Sequence, residues 1–177
     1  MTSFVERDLQ ITFNNVKSAQ KIDGPSHMLG HCMKAVDFVV ELPNCYLYVE
    51  FKDPQDPEST DERRQEFVSR FLSGQLDRDF VYKYRDSFLY EWASGKADKP
   101  IRYFVLIALD SLDSAALLRR TDALKRQLPL DGPKSNSWTR PIVEGCEVFN
   151  IDKWNSHFSD YPIIRLSSHT TPAGGTP

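Results

Sequence analysis

The chain has 177 residues, of which 40% are hydrophobic and 12% aromatic, and its formal net charge is −3. This length and apolar content suffice for one sizeable core, so we expect a single domain over residues 1–168. The small negative charge argues against a protein that coats nucleic acid nonspecifically. The longest apolar run, residues 103–109, is far too short to cross a bilayer, so no membrane partner is expected.

Cysteine usage and the N-terminal residues favour a cytoplasmic protein. Cys32, Cys45 and Cys146 lie far apart and are odd in number, which argues against a disulfide framework. The apolar pair that begins at Phe4 is followed at once by charged residues, unlike the apolar region of a signal peptide. We therefore expect a soluble chain in a reducing, cytoplasmic setting. The polar residues 169–177 contain Gly and Pro and are predicted to form a disordered tail.

The N-terminal segment, residues 3–20, is predicted to be a helix. Its apolar side chains follow the spacing of one helical stripe, at Val5, Leu9, Phe13 and Val16. Ser3 and Glu6 have the spacing of a capping box, which predicts the helix start. A shorter helix that runs into a strand near Ile11 is an alternative that the pattern leaves open. Residues 23–25, Asp-Gly-Pro, predict the turn that follows.

Two strands are predicted next, at residues 35–42 and 45–51, because both segments alternate and are rich in Val, Phe and Tyr. The intervening Pro43 and Asn44 predict a turn that makes the two strands a hairpin.

The remaining predicted elements follow in chain order: a helix from Asp61 that Gly74 interrupts, a second helix that ends at Gly95, a buried strand at residues 101–109, a helix from Asp113 or Ser114 that stops before Pro129, a strand at residues 146–151, a short helix near Trp154 and a strand at residues 163–166. This order predicts an α/β (α+β) protein with a mixed central sheet flanked by helices.

The hairpin can be given a register. A turn centred between Pro43 and Asn44 places Asp37 directly across from Glu50, and the apolar side chains then fall opposite one another, Phe38 across from Val49 and Val40 across from Leu47. In this register Asp37, Glu50 and Lys52 share one face, together with Val39 and Tyr48, and Val36, Phe38, Val40 and Leu42 share the other.

Two carboxylates directly opposed on a sheet repel one another, and a divalent cation removes that repulsion. Mg²⁺ takes oxygen ligands and commonly uses one or two carboxylates with water and substrate phosphate, so Asp37 and Glu50 are candidate ligands. Lys52 projects on the same face, where an amine can orient the attacking water and stabilise charge on phosphate oxygens.

Asp37, twelve intervening residues and the run Glu50, Phe51, Lys52 resemble the motif of the PD-(D/E)XK nuclease superfamily, whose members share a restriction endonuclease-like fold with an αβββαβ core. The resemblance implies that Asp37, Glu50 and the backbone carbonyl of Phe51 hold Mg²⁺ or Mn²⁺, and that Lys52 is the catalytic lysine. It also implies a nuclease that cuts DNA with metal-activated water, as a homodimer or with a partner subunit.

The resemblance suggests further site residues. The helix after the hairpin often adds a polar group, for which Lys83 is the candidate and Gln75 the second choice. The first helix often adds a carboxylate, for which Glu6 is the candidate. The strand that normally precedes the aspartate would have to lie between His27 and Lys34.

Other interpretations of the same residues stay open. The hairpin face of Asp37 can be an ordinary solvated surface, Glu6 a helix cap and Lys83 a surface lysine. The chain can also be an inactive member of the same fold that binds nucleic acid or a protein, or an interaction protein whose hairpin carboxylates pair with Lys or Arg.

Overall fold

The structure is a computed structural model that describes residues 1–24, 27–135 and 137–169. Of the tail predicted at residues 169–177, all but residue 169 lies outside the described residues. The described elements, in chain order, are β1 (Thr2–Glu6), β2 (Leu9–Phe13), β3 (Ser18–Lys21), β4 (Phe38–Glu41), β5 (Tyr46–Lys52), α1 (Asp61–Ser73), α2 (Asp77–Ala93), β6 (Ile101–Ile107), α3 (Ser114–Lys125), β7 (Gly145–Phe149), α4 (Ile151–His157) and β8 (Ile163–Arg165).

These elements form a mixed α/β protein with two sheets. A five-stranded sheet has the order β3-β4-β5-β6-β7, and a three-stranded sheet has the order β1-β2-β8. In the larger sheet β3, β4 and β5 are antiparallel neighbours, while β5, β6 and β7 run parallel. No helix within the described residues is long and apolar enough to span a membrane.

The predicted N-terminal helix is wrong, and β1 and β2 form an antiparallel hairpin in its place. Leu9, Ile11 and Phe13 are fully buried and alternate with partly exposed residues, which is the two-residue period of a strand. A spacing of four residues fits both a helix and a strand. Ile11, midway between Leu9 and Phe13, is buried as well, and only a strand places all three side chains on one face. The capping box is wrong too, since Ser3 Oγ lies 2.9 Å from Thr12 Oγ1 across the hairpin.

The predicted central hairpin is confirmed in place and register. β4 and β5 pair with Phe38 opposite Val49 and Val40 opposite Leu47. Strand β4 begins at Phe38, so Asp37 lies immediately before it. The predicted alternation therefore stops at Phe38, and Val36 packs in the cluster that contains Val39, not with Phe38.

The strand that precedes the hairpin was predicted in the wrong segment. It is β3, which pairs antiparallel with β4, with Lys21 opposite Phe38. The backbone N–H of Ile22 then donates to the carbonyl of Asp37 at 2.9 Å. This contact extends the ladder to Asp37 and fixes the backbone from which its carboxylate projects.

The large sheet is covered by different layers on its two faces. Helices α1, α2 and α3 pack on one face, through side chains such as Phe71, Phe80, Tyr84, Leu117 and Leu124. The three-stranded sheet and α4 pack on the other face, through Leu9, Ile11, Phe13, Ile163 and Trp154. The prediction of a sheet flanked by helices is therefore right for one face, and on the other a small sheet does most of the covering.

The starts of α1 and α3 and the end of α1 lie at the residues that the sequence indicates, whereas α3 ends at Lys125, earlier than the predicted stop before Pro129. The side chain of Thr60 caps α1, and Gly74 ends it in the left-handed region with φ of 84°. The carboxylate of Asp113 accepts the N–H of Ala116 at 2.7 Å and starts α3. Because Gly74 separates α1 from α2, the second helix can approach the sheet independently.

A buried ion-pair cluster joins the two sheets at the end of β5. Both guanidinium Nη atoms of Arg165 in β8 lie 2.9 Å from the carboxylate of Asp53. The same side chain reaches Asp8 in the β1–β2 turn at 3.0 Å and the carbonyl of Ala108 at 3.2 Å. Asp53 directly follows Lys52, so Arg165 anchors the chain where it leaves β5.

Replacing Arg165 with Met tests this anchor. We expect Arg165→Met to lower the free energy of unfolding by about 3 kcal/mol, because Asp53 and Asp8 would stay buried without a cation. Urea unfolding followed by fluorescence measures the change. Arg102→Met is the control, since Arg102 and Glu144 form an exposed pair, and it should change stability by less than about 1 kcal/mol. Equal effects of the two substitutions would contradict the assignment.

Candidate active site

Four of the charged residues singled out in the sequence line one open cleft of about 360 Å³, namely Glu6, Asp37, Lys52 and Lys83. They come from different elements, namely β1, the start of β4, the end of β5 and α2. Glu50 does not line the cleft itself. It lies below this surface, in contact with the two lysines.

Asp37 is held by the backbone of the neighbouring strand. One of its carboxylate oxygens, Oδ2, accepts the N–H of Phe51 at 2.6 Å, and the residue is only 6% exposed. Burial raises the pKa of Asp37 to about 7, and the negative charge of Glu50 adds to this, although Lys83, Lys52 and the Phe51 N–H act in the opposite direction. The two carboxylates are therefore close enough to interact, as the hairpin register predicts.

Glu50 is fully buried in β5, a central strand of the large sheet, where Lys52 and Lys83 from α2 lie against it. Its Oε1 atom is 2.9 Å from Lys83 Nζ and also forms an ion pair with Lys52 Nζ. Its Oε2 atom has no hydrogen-bond partner among the described residues. A buried carboxylate oxygen without a partner is costly, and such an atom points to a ligand that supplies a cation or a donor.

Lys83, the candidate from the second helix, is brought to the site. Besides Glu50, its Nζ atom contacts Asp23 Oδ2 at 3.1 Å. Burial by itself lowers the pKa of Lys83, but the negative charges of Glu50, Asp37 and Asp23 outweigh it and raise the pKa above its ordinary value. Lys83 is thus a permanent positive charge at neutral pH.

Lys52 lies between the buried acid and the cleft. Its side chain is 34% exposed, and its Nζ atom donates to the carbonyl of Phe51 at 3.2 Å in addition to its pair with Glu50. Lys52 and Lys83 therefore supply part of the positive charge that a metal ion was expected to provide beside Asp37 and Glu50.

Two further predicted positions have different outcomes. Glu6 lines the cleft, although it does so from β1, not from a helix, and it forms an ion pair with Lys21. Gln75 is exposed in the turn between α1 and α2 and does not line the cleft. Gln75 precedes α2, whereas Lys83 lies within that helix and reaches the cleft.

Sequence reasoning did not assign to the site four charged residues that also line the cleft: Arg7, Asp23, Asp53 and Arg63. Arg7 is in the β1–β2 turn with φ of 53°. Asp23 was interpreted only as a turn residue, and its partner Lys83 is remote in sequence. Their side chains share a cleft only through tertiary contacts, so no local pattern could have grouped them.

The described ranges contain no cluster of three or more His, Cys, Asp or Glu side chains that would hold a metal ion. The set proposed from the sequence is smaller, two carboxylates and the Phe51 carbonyl, and it fits Mg²⁺, which usually keeps several waters. Glu50 Oε2 is without a hydrogen-bond partner among the described residues, and Asp37 lines the cleft. The residues present therefore fit the ion.

Comparison with protein-family models, with curated proteins and with solved structures finds no match to this chain.

The raised pKa of Asp37 predicts a pH-dependent stability. Between the ordinary pKa of 3.8 and about 7 the folded chain binds more protons than the unfolded chain, so stability falls as pH rises through this window. In chelator, Asp37→Asn should be more stable than the parent above about pH 7, by on the order of 2 kcal/mol.

This difference should vanish below about pH 4, where Asp37 is protonated in both states. Urea unfolding across the pH range measures it. The exposed Asp131 provides the matched control, and Asp131→Asn should show no such trend. A parent chain that gains stability relative to Asp37→Asn as pH rises would overturn the interpretation.

Proposed function

We propose that the chain is a metal-dependent nuclease of the PD-(D/E)XK type that hydrolyses phosphodiester bonds in DNA. The observation that carries this proposal is the buried pair Asp37 and Glu50, with Lys52 and Lys83, at the base of one cleft. Buried, interacting carboxylates next to lysines in a cleft are more typical of an active site than of a solvated strand face.

The order of elements supports the superfamily resemblance in part. Strands β3, β4 and β5, the helices α1 and α2, and strand β6 follow the βββαβ portion of the restriction endonuclease-like core. Within the described residues, the β1–β2 hairpin takes the place in the element order that the opening helix has in that core. That hairpin nevertheless supplies Glu6 to the cleft, where the resemblance assigns a carboxylate from the first helix.

In this proposal Asp37, Glu50 and the carbonyl of Phe51 hold Mg²⁺ or Mn²⁺. A bound divalent ion supplies a more acidic water and stabilises charge on the phosphate. Lys52 Nζ is the group that orients the attacking water and stabilises charge on the phosphate oxygens, because it is partly exposed at the cleft while touching Glu50. Lys83 keeps its proton and balances the two carboxylates.

A second candidate function is an inactive member of the same fold that binds nucleic acid or a protein. The observation that favours it is that Glu50 Oε1 already contacts both Lys83 and Lys52. An acid neutralised by two lysines can be a structural ion-pair network. Metal binding separates the two candidates.

Cleavage assays test the nuclease directly. We expect the chain to cut plasmid or single-stranded DNA with Mg²⁺ or Mn²⁺ and not with chelator. Asp37→Asn and Lys52→Ala should each lower the rate by about a hundredfold or more. Asp131→Asn and Lys153→Ala are matched controls on exposed or partly exposed sites, and both should retain the parent rate. Cleavage that persists in Asp37→Asn and Lys52→Ala would sink the site assignment.

Calorimetry with Mn²⁺ tests the metal ligands independently of activity. The parent chain should bind the ion, and Glu50→Gln should weaken binding by about tenfold or more, because the amide removes one charge from a buried site. The exposed Glu144 is the control, and Glu144→Gln should bind like the parent. Absence of binding to the parent would favour the inactive candidate.

A further inference from the structure

The position of the acidic pair limits how a substrate can approach it. Asp37 is 6% exposed, and Glu50 is fully buried beneath the cleft. Asp37 lines the cleft and Glu50 lies beneath it, so the cleft is the route by which a phosphate would reach the pair. The backbone of the substrate must therefore descend below the surrounding protein surface.

The size of the cleft limits what can enter. Its volume is about 360 Å³, near the lower end of the roughly 300–1,000 Å³ that drug-sized ligands occupy. One nucleotide is a ligand of that size. The cleft therefore has room for one unpaired nucleotide, with its base and its phosphate both inside.

An aromatic ring and a guanidinium group lie side by side on one wall. Arg63 and Phe67 are four residues apart in α1, so they share a face of that helix, and both line the cleft. Phe67 is partly exposed, and one face of its ring stacks on Phe71 with an interplanar angle of 8°. The pairing of a basic group with an aromatic platform is the way proteins bind single strands without reading sequence.

The β1–β2 turn contributes a second guanidinium group. The side chain of Arg7 is 69% exposed and forms an ion pair with Asp56, in which Nη1 is 3.8 Å from the carboxylate, too long for a hydrogen bond. Arg63 is exposed and has no ion pair in the described part of the chain. Both residues therefore keep donors available to phosphate oxygens.

Four acidic side chains line the same cleft, namely Glu6, Asp23, Asp37 and Asp53. Glu6 pairs with Lys21, Asp23 with Lys83, and Asp53 with Arg165, while Asp37 lies near Lys83 and Lys52. None of the four pairs with Arg7 or Arg63 in the described part of the chain, so both guanidinium groups can attract an anion.

We propose that the cleft takes a single-stranded segment of nucleic acid, with its phosphates on Arg7 and Arg63 and a base stacked on Phe67. The cutting of that segment rests on the proposed function, whereas its binding does not. The chemistry is shared by DNA and RNA single strands and by unpaired ends or flaps of a duplex.

Fluorescence anisotropy with a labelled, unstructured oligodeoxynucleotide tests the proposal. The same oligonucleotide annealed to its complement and the matching oligoribonucleotide are the other probes, each measured with Ca²⁺ and with chelator. We expect the single strands to bind at least about tenfold more tightly than the duplex, because a base can reach the aromatic ring only when unpaired.

Variants locate the contacts. Arg7→Gln and Arg63→Gln should each reduce the slope of log affinity against log salt concentration by about 0.7, as the loss of one phosphate contact predicts for a single strand. Phe67→Leu should weaken single-strand binding by about fivefold or more, and Phe67→Tyr should retain it. Arg119 is exposed on α3 and does not line the cleft, so Arg119→Gln is the control and should bind like the parent.

Equal or tighter binding of the duplex, unchanged salt slopes in both arginine variants, or no binding of any probe would each overturn the proposal. The proposed function can fail separately. Metal-dependent cutting of duplex and single strand at equal rates, lost in Asp37→Asn, would keep the nuclease and overturn this inference. Selective single-strand binding with no cutting would keep this inference and overturn the nuclease.

Discussion

A fully buried carboxylate in the middle of a β-sheet is the constraint on which the rest of this structure depends. Removing Glu50 from water costs several kcal/mol unless cations and donors surround it. Lys52, in the same strand, and Lys83, in α2, offset part of that cost by forming ion pairs with Glu50. Because Lys83 must reach Glu50, α2 has to pack on this face of the sheet, and the cleft forms between α2, β5 and the β1–β2 turn.

The same constraint acts on Asp37. Burial is the main cause of its raised pKa, and the negative charge of Glu50 adds to it. Arg165 holds the chain beyond Lys52 by its contacts with Asp53 and Asp8, so the small sheet also supports the end of β5.

Much of the central sheet could be predicted, because its signals are local. The turn at Pro43 and the alternation on either side of it were enough to define the register of the hairpin, which the structure confirms. The N-terminal helix was wrong because Leu9 and Phe13 are four residues apart, a spacing that a strand also satisfies. Pairing with β8, far along the chain, gives β2 the partner that makes a strand the better choice there.

The sequence by itself determined the hairpin and the face shared by Glu50 and Lys52, because alternation along a strand is a property of the backbone. Only the tertiary structure decided which distant charges meet that face. Lys83 and Asp23, and Arg7 with Arg63, are brought to one cleft by helix and sheet packing. Contacts between residues remote in sequence leave no periodic trace, so their grouping is a consequence of the folded core.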